Sequence, residues 1–125
     1  VARIQGEMEV IKRQVGFTGS LQDFFRFIKT DSRFQYPNTP AGKEQYLTDA
    51  RAFVAQVMAV APQWFSQLPK AALEVRAVEP WREATASIAF YNQPAPDGSR
   101  PGIYYVNLSD MTQVLKPQIE GISYH

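Results

Sequence analysis

The stretch that decides the fold is Ala84–Leu108, ATASIAFYNQPAPDGSRPGIYYVNL. Two runs rich in β-branched and aromatic residues, Ser87–Asn92 and Ile103–Leu108, flank a polar loop with three prolines and two glycines. This pattern predicts a β-hairpin with a long, stiffened loop. Asp97-Gly98 is a strong turn signal, because glycine adopts positive φ without steric cost and aspartate can bond to its own backbone.

The sequence before the hairpin predicts three helices. Apolar residues recur every three or four positions in Arg3–Val15, which is typical of an amphipathic helix. A second helix is predicted over Leu21–Thr30 and a third from Pro40 to about Val60. Their ends are marked by Gly16 after the first helix and by the N-cap residues Ser20 and Thr39 before the others.

The order of the elements predicts the fold class. Leu73–Val78 alternates apolar and charged residues as a half-buried strand does, and Pro117 opens a last helical piece that runs to His125. Segregated helices and strands indicate an α+β fold, with the N-terminal helices packed on an antiparallel sheet of about three strands. We expect a helical part over residues 1–69, strands and hairpin over 70–108, and a turn and helix over 109–125.

Composition narrows the classes of function. The chain has 125 residues, enough for a single domain, and its net charge of +1 comes from interspersed charges rather than a basic stripe. We therefore expect no nucleic-acid partner. The absence of cysteine excludes disulfides and thiolate metal sites, and no apolar run approaches the roughly 20 residues of a membrane span. Because the sequence begins at Val1 and stops at His125 within an apparent helix, we interpret it as a fragment of a larger domain.

The single histidine, His125, is the candidate metal ligand. One protein ligand does not hold zinc, so we expect no complete metal site, no cofactor and no catalytic residue within the chain itself. Glu120 precedes His125 by five residues and would lie about 140° from it around an ideal helix, which argues against a direct pair. Asp97 and Asp110 are expected to stabilise their own turns.

The residues around the hairpin allow two interpretations. Tyr91 and Tyr105 either pack against cross-strand neighbours or line a substrate cleft, with Arg100 reaching a carboxylate or a carbonyl group. Asn107 either fixes the exit of its strand by bonds to the backbone or contacts substrate, and the structural role is favoured.

The hairpin Tyr91–Asn107, YNQPAPDGSRPGIYYVN, resembles a bacterial family known only as domain of unknown function 885. The segments DSRF, Asp31–Phe34, and VRAVEP, Val75–Pro80, match the same family in the same order. In that family a short helical stretch after the hairpin leads to the motif H-E-x-x-P-G-H-H. His125 corresponds in position to the first histidine of the motif, and the remaining motif residues would follow it.

The resemblance implies a zinc-peptidase-like protein of the gluzincin type, periplasmic or secreted, that acts on a peptide substrate. In such a protein His125 would be the first zinc ligand. Ile103–Asn107 would be an exposed strand that pairs with the extended peptide, and Tyr91, Arg100, Tyr105 and Asn107 would contact the substrate.

The leading hypothesis is therefore the scaffold and substrate-side segment of a metal-dependent hydrolase, which by itself lacks the complete catalytic set. The alternative is a non-catalytic α+β module that binds a peptide or small ligand without metal. A third interpretation, a structural domain that associates through the hairpin edge or an exposed helix face, needs neither substrate nor metal.

Overall fold

The computed structural model describes all residues from Val1 to His125. Its elements confirm the α+β class. The four α-helices are α1 (Ala2–Gln14), α2 (Leu21–Thr30), α3 (Pro40–Val60) and α4 (Lys116–Tyr124), and the three strands are β1 (Leu73–Ala77), β2 (Ala89–Asn92) and β3 (Gly102–Val106). Short 3-10 turns lie at Ser32–Phe34, Ala61–Gln63 and Met111–Gln113. The chain divides into two compact units, residues 1–35 and 36–125.

The first unit contains α1 and α2. Gly16 follows α1 with a φ of 75°, the left-handed conformation that the predicted end of this helix requires. The Ser20 side chain accepts the backbone N–H of Asp23 and so caps α2 as predicted. The Phe27 ring packs 5.0 Å from Phe17, and the unit is held together by this and neighbouring phenylalanine contacts.

The second unit is built on α3. Thr39 caps this helix by accepting the backbone N–H of Gly42, as predicted. Its buried face, Tyr46, Leu47, Ala50 and Val54, packs against the sheet and α4. Removal of this apolar stripe from water stabilises the packing of α3 on the sheet.

The sheet is mixed, and this corrects the prediction that it is antiparallel. β2 and β3 form the predicted antiparallel hairpin, but β1 pairs with the other edge of β3 in parallel, so the strand order is β1-β3-β2. The physical reason is the connection through residues 78–88, which carries the chain from β1 across to the far side of β3. β2 therefore does not pair with β1, although it follows β1 in the sequence.

β3 is the central strand, and all five of its residues are buried. Tyr104 and Val106 face α3 and α4, which we call the helix side of the sheet, and Ile103 and Tyr105 face the opposite, loop side with Val78. The prediction that Ile103–Asn107 presents a free edge to a peptide is wrong, because both edges of β3 are already bonded to other strands.

Candidate functional site

His125 lies at the end of α4, whose last turn is fixed against α3. The Tyr124 ring packs edge-on against Phe53 at 6.1 Å, and the Tyr124 hydroxyl donates to Gln56 Oε1 at 3.4 Å. The backbone N–H of His125 donates to the Gly121 carbonyl at 3.1 Å, so the helical bonding continues to the last residue. The histidine is exposed, and its backbone position is set by the packing of α4.

The chain does not contain a complete metal site. No group of three or more His, Cys, Asp or Glu side chains is placed so that it could hold a metal ion. A protein zinc site uses at least three such ligands. The residues present therefore do not fit a zinc ion by themselves, and His125 can supply one ligand at most.

A buried cluster of hydroxyl groups lies between the sheet and α4, at Ser123, two residues before His125. Burial raises the pKa of the Tyr104 phenol, and the adjacent hydroxyl groups of Ser123 and Tyr46 act in the opposite direction. The Tyr104 hydroxyl and Ser123 Oγ are buried without a hydrogen bond of good geometry. The central strand and the final helix thus meet at a polar point inside an otherwise apolar core.

Tyr91 lies in β2, at the outer edge of the sheet. It is the cross-strand partner of Tyr104 and shares the helix side of the sheet with it. Its side chain is 54% exposed, and its ring covers Gly102. Because Ile88 bonds to Asn107 across the hairpin, alternation directs the backbone groups of Ala89 and Tyr91 to the free edge.

Arg100 lies in the hairpin loop, close in sequence to the turn that holds its shape. The Arg100 carbonyl accepts the Ala95 N–H at 3.1 Å, while its exposed guanidinium makes no hydrogen bond or ion pair. Asp97 accepts bonds from the Ser99 N–H and hydroxyl, which lowers the pKa of its carboxyl group. Asp97 is therefore a turn residue, and Arg100 is the free cation of the loop.

Tyr105 lies on the loop side of the sheet, away from Tyr91. Its ring is stacked on Phe90 at 5.0 Å, and the Arg82 guanidinium lies 4.5 Å from its centroid. Only 6% of the residue is exposed. The structure thus separates Tyr105 from Tyr91, and substrate contact by Tyr105 stays a prediction.

Asn107 makes the bonds to the backbone that its structural interpretation requires. Its amide donates to the Glu83 and Ala86 carbonyls at 2.8 and 3.1 Å, and its oxygen accepts the Ser109 N–H and hydroxyl. These bonds tie the segment before β2 to the end of β3. A role in substrate binding stays a prediction, since all of these groups are engaged within the chain.

The sequence analysis missed a groove between α3 and β1. It has a volume of about 490 Å³ and is lined by Val54, Ala55 and Met58 of α3 and by the outer edge of β1. A signal for it was present in the sequence: β1 alternates apolar and charged residues, as a strand covered on one face does, whereas β3 is a continuous apolar run, as a strand covered on both faces is.

The comparisons with known proteins concern the whole chain. The family model described as "Bacterial protein of unknown function (DUF885)" matches residues 1–125. The chain belongs to this family. The family predicted from the hairpin is thereby confirmed.

A solved structure, "The crystal structure of the putative lipoprotein from Colwellia psychrerythraea", is similar to this DUF885 chain, with a TM-score of 0.90 and 32% identity. The similarity covers 99% of the present chain and 21% of that chain, so the present chain spans about one fifth of its relative. No curated protein matches the sequence. No helix of this DUF885 chain is both long enough and apolar enough to cross a membrane.

Proposed function

We propose that this chain is the scaffold and substrate-side segment of a longer metal-dependent hydrolase that acts on peptides. One observation carries the proposal. The free edge of β2 at Tyr91 adjoins Tyr104, whose hydroxyl group lies beside Ser123, two residues before the sole histidine. A metallopeptidase needs a strand edge that can pair with the peptide and a metal ligand on the same side of the sheet.

His125 contributes one zinc ligand in this proposal, and the other ligands come from outside residues 1–125. Its support is the match of the whole chain to the family and the fixed position of the last turn of α4. Imidazole is a common ligand of zinc in proteins. Since the chain lacks further ligands, no step of the reaction is assigned to it.

The substrate binds in extended form along β2 in this proposal. The outward backbone groups of Ala89 and Tyr91 give an added strand its hydrogen bonds, and the Tyr91 ring flanks that strand. Arg100, whose guanidinium is free of partners, binds a carboxylate of the peptide. Tyr105 and Asn107 stabilise β2 from the loop side, through the stacking of Tyr105 on Phe90 and the bonds of Asn107 to the segment before β2.

An extracytoplasmic location is part of the same proposal. The similar solved structure is described as a putative lipoprotein, and lipoproteins are anchored by lipid rather than by a membrane-spanning helix. Cell fractionation of the native protein, with the signal followed by an antibody, tests the location independently of activity.

The proposed function is tested with the full-length protein. Its zinc content is measured by mass spectrometry, and its hydrolysis of a peptide library is measured with and without a chelator. We expect stoichiometric zinc and hydrolysis that the chelator abolishes. His125→Ala should lose zinc and activity, whereas Glu120→Gln, an exposed change on the same helix, should keep both. A full-length protein without stoichiometric zinc contradicts the proposal.

The alternative is a non-catalytic binding module, and the free Arg100 guanidinium at the hairpin favours it specifically. A module of this kind binds peptides without cleaving them. Calorimetry of the full-length protein with uncleaved peptides separates the two. Affinity that falls with Arg100→Ala, in the absence of zinc and of any hydrolysis, establishes the module and excludes the enzyme.

A further inference from the structure

The outer edge of β1 is open along its whole length. The Gly102 N–H donates to the Ala72 carbonyl and the Val78 N–H donates to the Val106 carbonyl, each at 2.9 Å, so even-numbered residues direct their backbone groups toward β3. Alternation then directs the N–H and C=O groups of Leu73, Val75 and Ala77 to the other edge. None of these groups bonds to another element of the chain.

This edge lacks most of the features that keep natural edges from pairing. Such features are proline, bulges, very short length, lysine side chains and charges that point inward. β1 is five residues long, contains no proline and carries its two charges as a Glu74–Arg76 ion pair on the exposed loop side.

The groove beside β1 has the chemistry of a strand site. On the helix side it is walled by the apolar residues Val54, Ala55 and Met58 together with Arg51, and on the loop side it borders the Glu74–Arg76 pair. A strand laid along β1 would place alternate side chains against a mostly apolar wall and against a charged pair. The complementary sequence therefore alternates apolar and charged or polar residues.

We propose that the groove binds a fourth β-strand, which comes from the part of the longer polypeptide outside residues 1–125. The length of that part supports this occupant, because the similar solved chain is about five times longer than the present one. The segment that leads into β1 also exposes Trp64 and Phe65, which are 79% and 64% exposed. Large apolar surface of this kind marks an interface.

The test uses the full-length protein without added ligand and measures hydrogen exchange at single amides by fragmentation mass spectrometry. Val75 is already buried, so the decision rests on Leu73 and Ala77, which are half-buried. We expect their exchange to be slowed on the order of a hundredfold or more relative to unbonded amides. The Tyr91 amide, on the open β2 edge, is the internal control and should exchange fast.

The origin of the strand is tested by a photo-crosslinking amino acid at Ala55, which lines the groove, with Val60, exposed on the same helix, outside the groove and about 140° around the helix from Ala55, as the control. We expect position 55 alone to give an intramolecular crosslink, to a segment outside residues 1–125 with alternating polarity. Fast exchange at Leu73 and Ala77, protection that requires dimerisation, or a crosslink to another molecule each overturns the proposal. None of these readouts depends on zinc or hydrolysis, so the proposal stands or falls separately from the proposed function.

Discussion

The first turn of α3 packs directly on the backbone before it: a β-carbon on Gly42 would overlap the carbonyl oxygen of Pro37. Gly42 is buried, and its neighbour here is backbone rather than a flexible side chain. We expect Gly42→Ala to lower the free energy of unfolding by about 2–3 kcal/mol, because the start of α3 must move away from the Pro37 segment. Urea unfolding followed by circular dichroism measures this.

The matched control is Gly121→Ala in α4. Nothing lies within 4 Å of a β-carbon at this position, and the residue is exposed. Since alanine is a better helix former than glycine, the change should raise stability by up to about 1 kcal/mol. If both variants had the same effect, the close approach of Gly42 to Pro37 would not be the cause.

Two buried tyrosines predict a loss of stability in alkali. Burial raises the pKa of Tyr36 above its ordinary value of 10.0, and its hydrogen bond to Asp49, at 2.6 Å, raises it further. Burial likewise raises the pKa of Tyr46. A raised pKa means that the folded chain favours the protonated phenol, so this stabilisation is complete below about pH 10 and is lost as the pH rises above it.

We therefore expect the free energy of unfolding to fall by about 1 kcal/mol for each of these tyrosines between pH 10 and 11. Urea titrations at pH 8, 10 and 11 measure the fall, and Tyr46→Phe should make it shallower. At pH 8, Tyr36→Phe should cost about 1 kcal/mol, because Asp49 loses a hydrogen bond. An unchanged alkaline fall in both variants would show that other groups cause it.

The helix ends followed from the sequence because their causes are local. Ser20 and Thr39 bond to backbone three residues away, and Gly16 needs only its own positive φ. Such signals lie within a few residues, so sequence patterns contain them. The hairpin turn at Asp97-Gly98 follows for the same reason.

The strand order did not follow, because pairing between β1 and β3 joins residues about 30 positions apart and no turn residue specifies it. The composition of the strands nevertheless indicated which strand is central. β3 is apolar at every position, as a strand buried on both faces is, while β1 alternates. The prediction of a free edge at Ile103–Asn107 was wrong because β3 is the central strand. Side-chain alternation along β3 also explains why Tyr105 and Tyr91 lie on opposite sides of the sheet.

The effect of Asn107 substitutions on stability distinguishes a structural role of this residue from a role in substrate binding. Asn107→Ala removes two donors from the Glu83 and Ala86 carbonyls, and we expect a loss of about 2 kcal/mol. Asn107→Asp should cost at least as much, because a carboxylate oxygen would face those carbonyl groups. Asn92→Ala, at the end of β2, serves as control in the same thermal unfolding assay. A stable Asn107→Ala with impaired peptide binding would instead favour substrate contact.

Arg82 stabilises the loop side of the sheet through its planar group. It lies 4.5 Å from the Tyr105 centroid and 5.1 Å from that of Phe90, and it pairs with Glu79. Arg82→Ala should lower stability by about 1–2 kcal/mol. Arg82→Lys keeps the charge but not the flat stacking surface, so it should restore only part of the loss. Full rescue by lysine, measured by urea unfolding, would assign the effect to charge alone.

Gly102 controls the position of the Tyr91 ring, and through it the proposed peptide edge. A β-carbon on Gly102 would meet the end of the Tyr91 side chain rather than backbone, so Gly102→Ala should turn the ring outward at a cost of about 1 kcal/mol or less. If the ring flanks a bound peptide, the full-length protein should lose affinity severalfold with Gly102→Ala and with Tyr91→Ala. Isothermal titration with an uncleaved peptide measures this affinity. The control is Gly98→Ala, because alanine at this φ of 77° strains the loop without meeting an aromatic ring. Unchanged affinity in both Gly102→Ala and Tyr91→Ala would remove Tyr91 from the substrate edge.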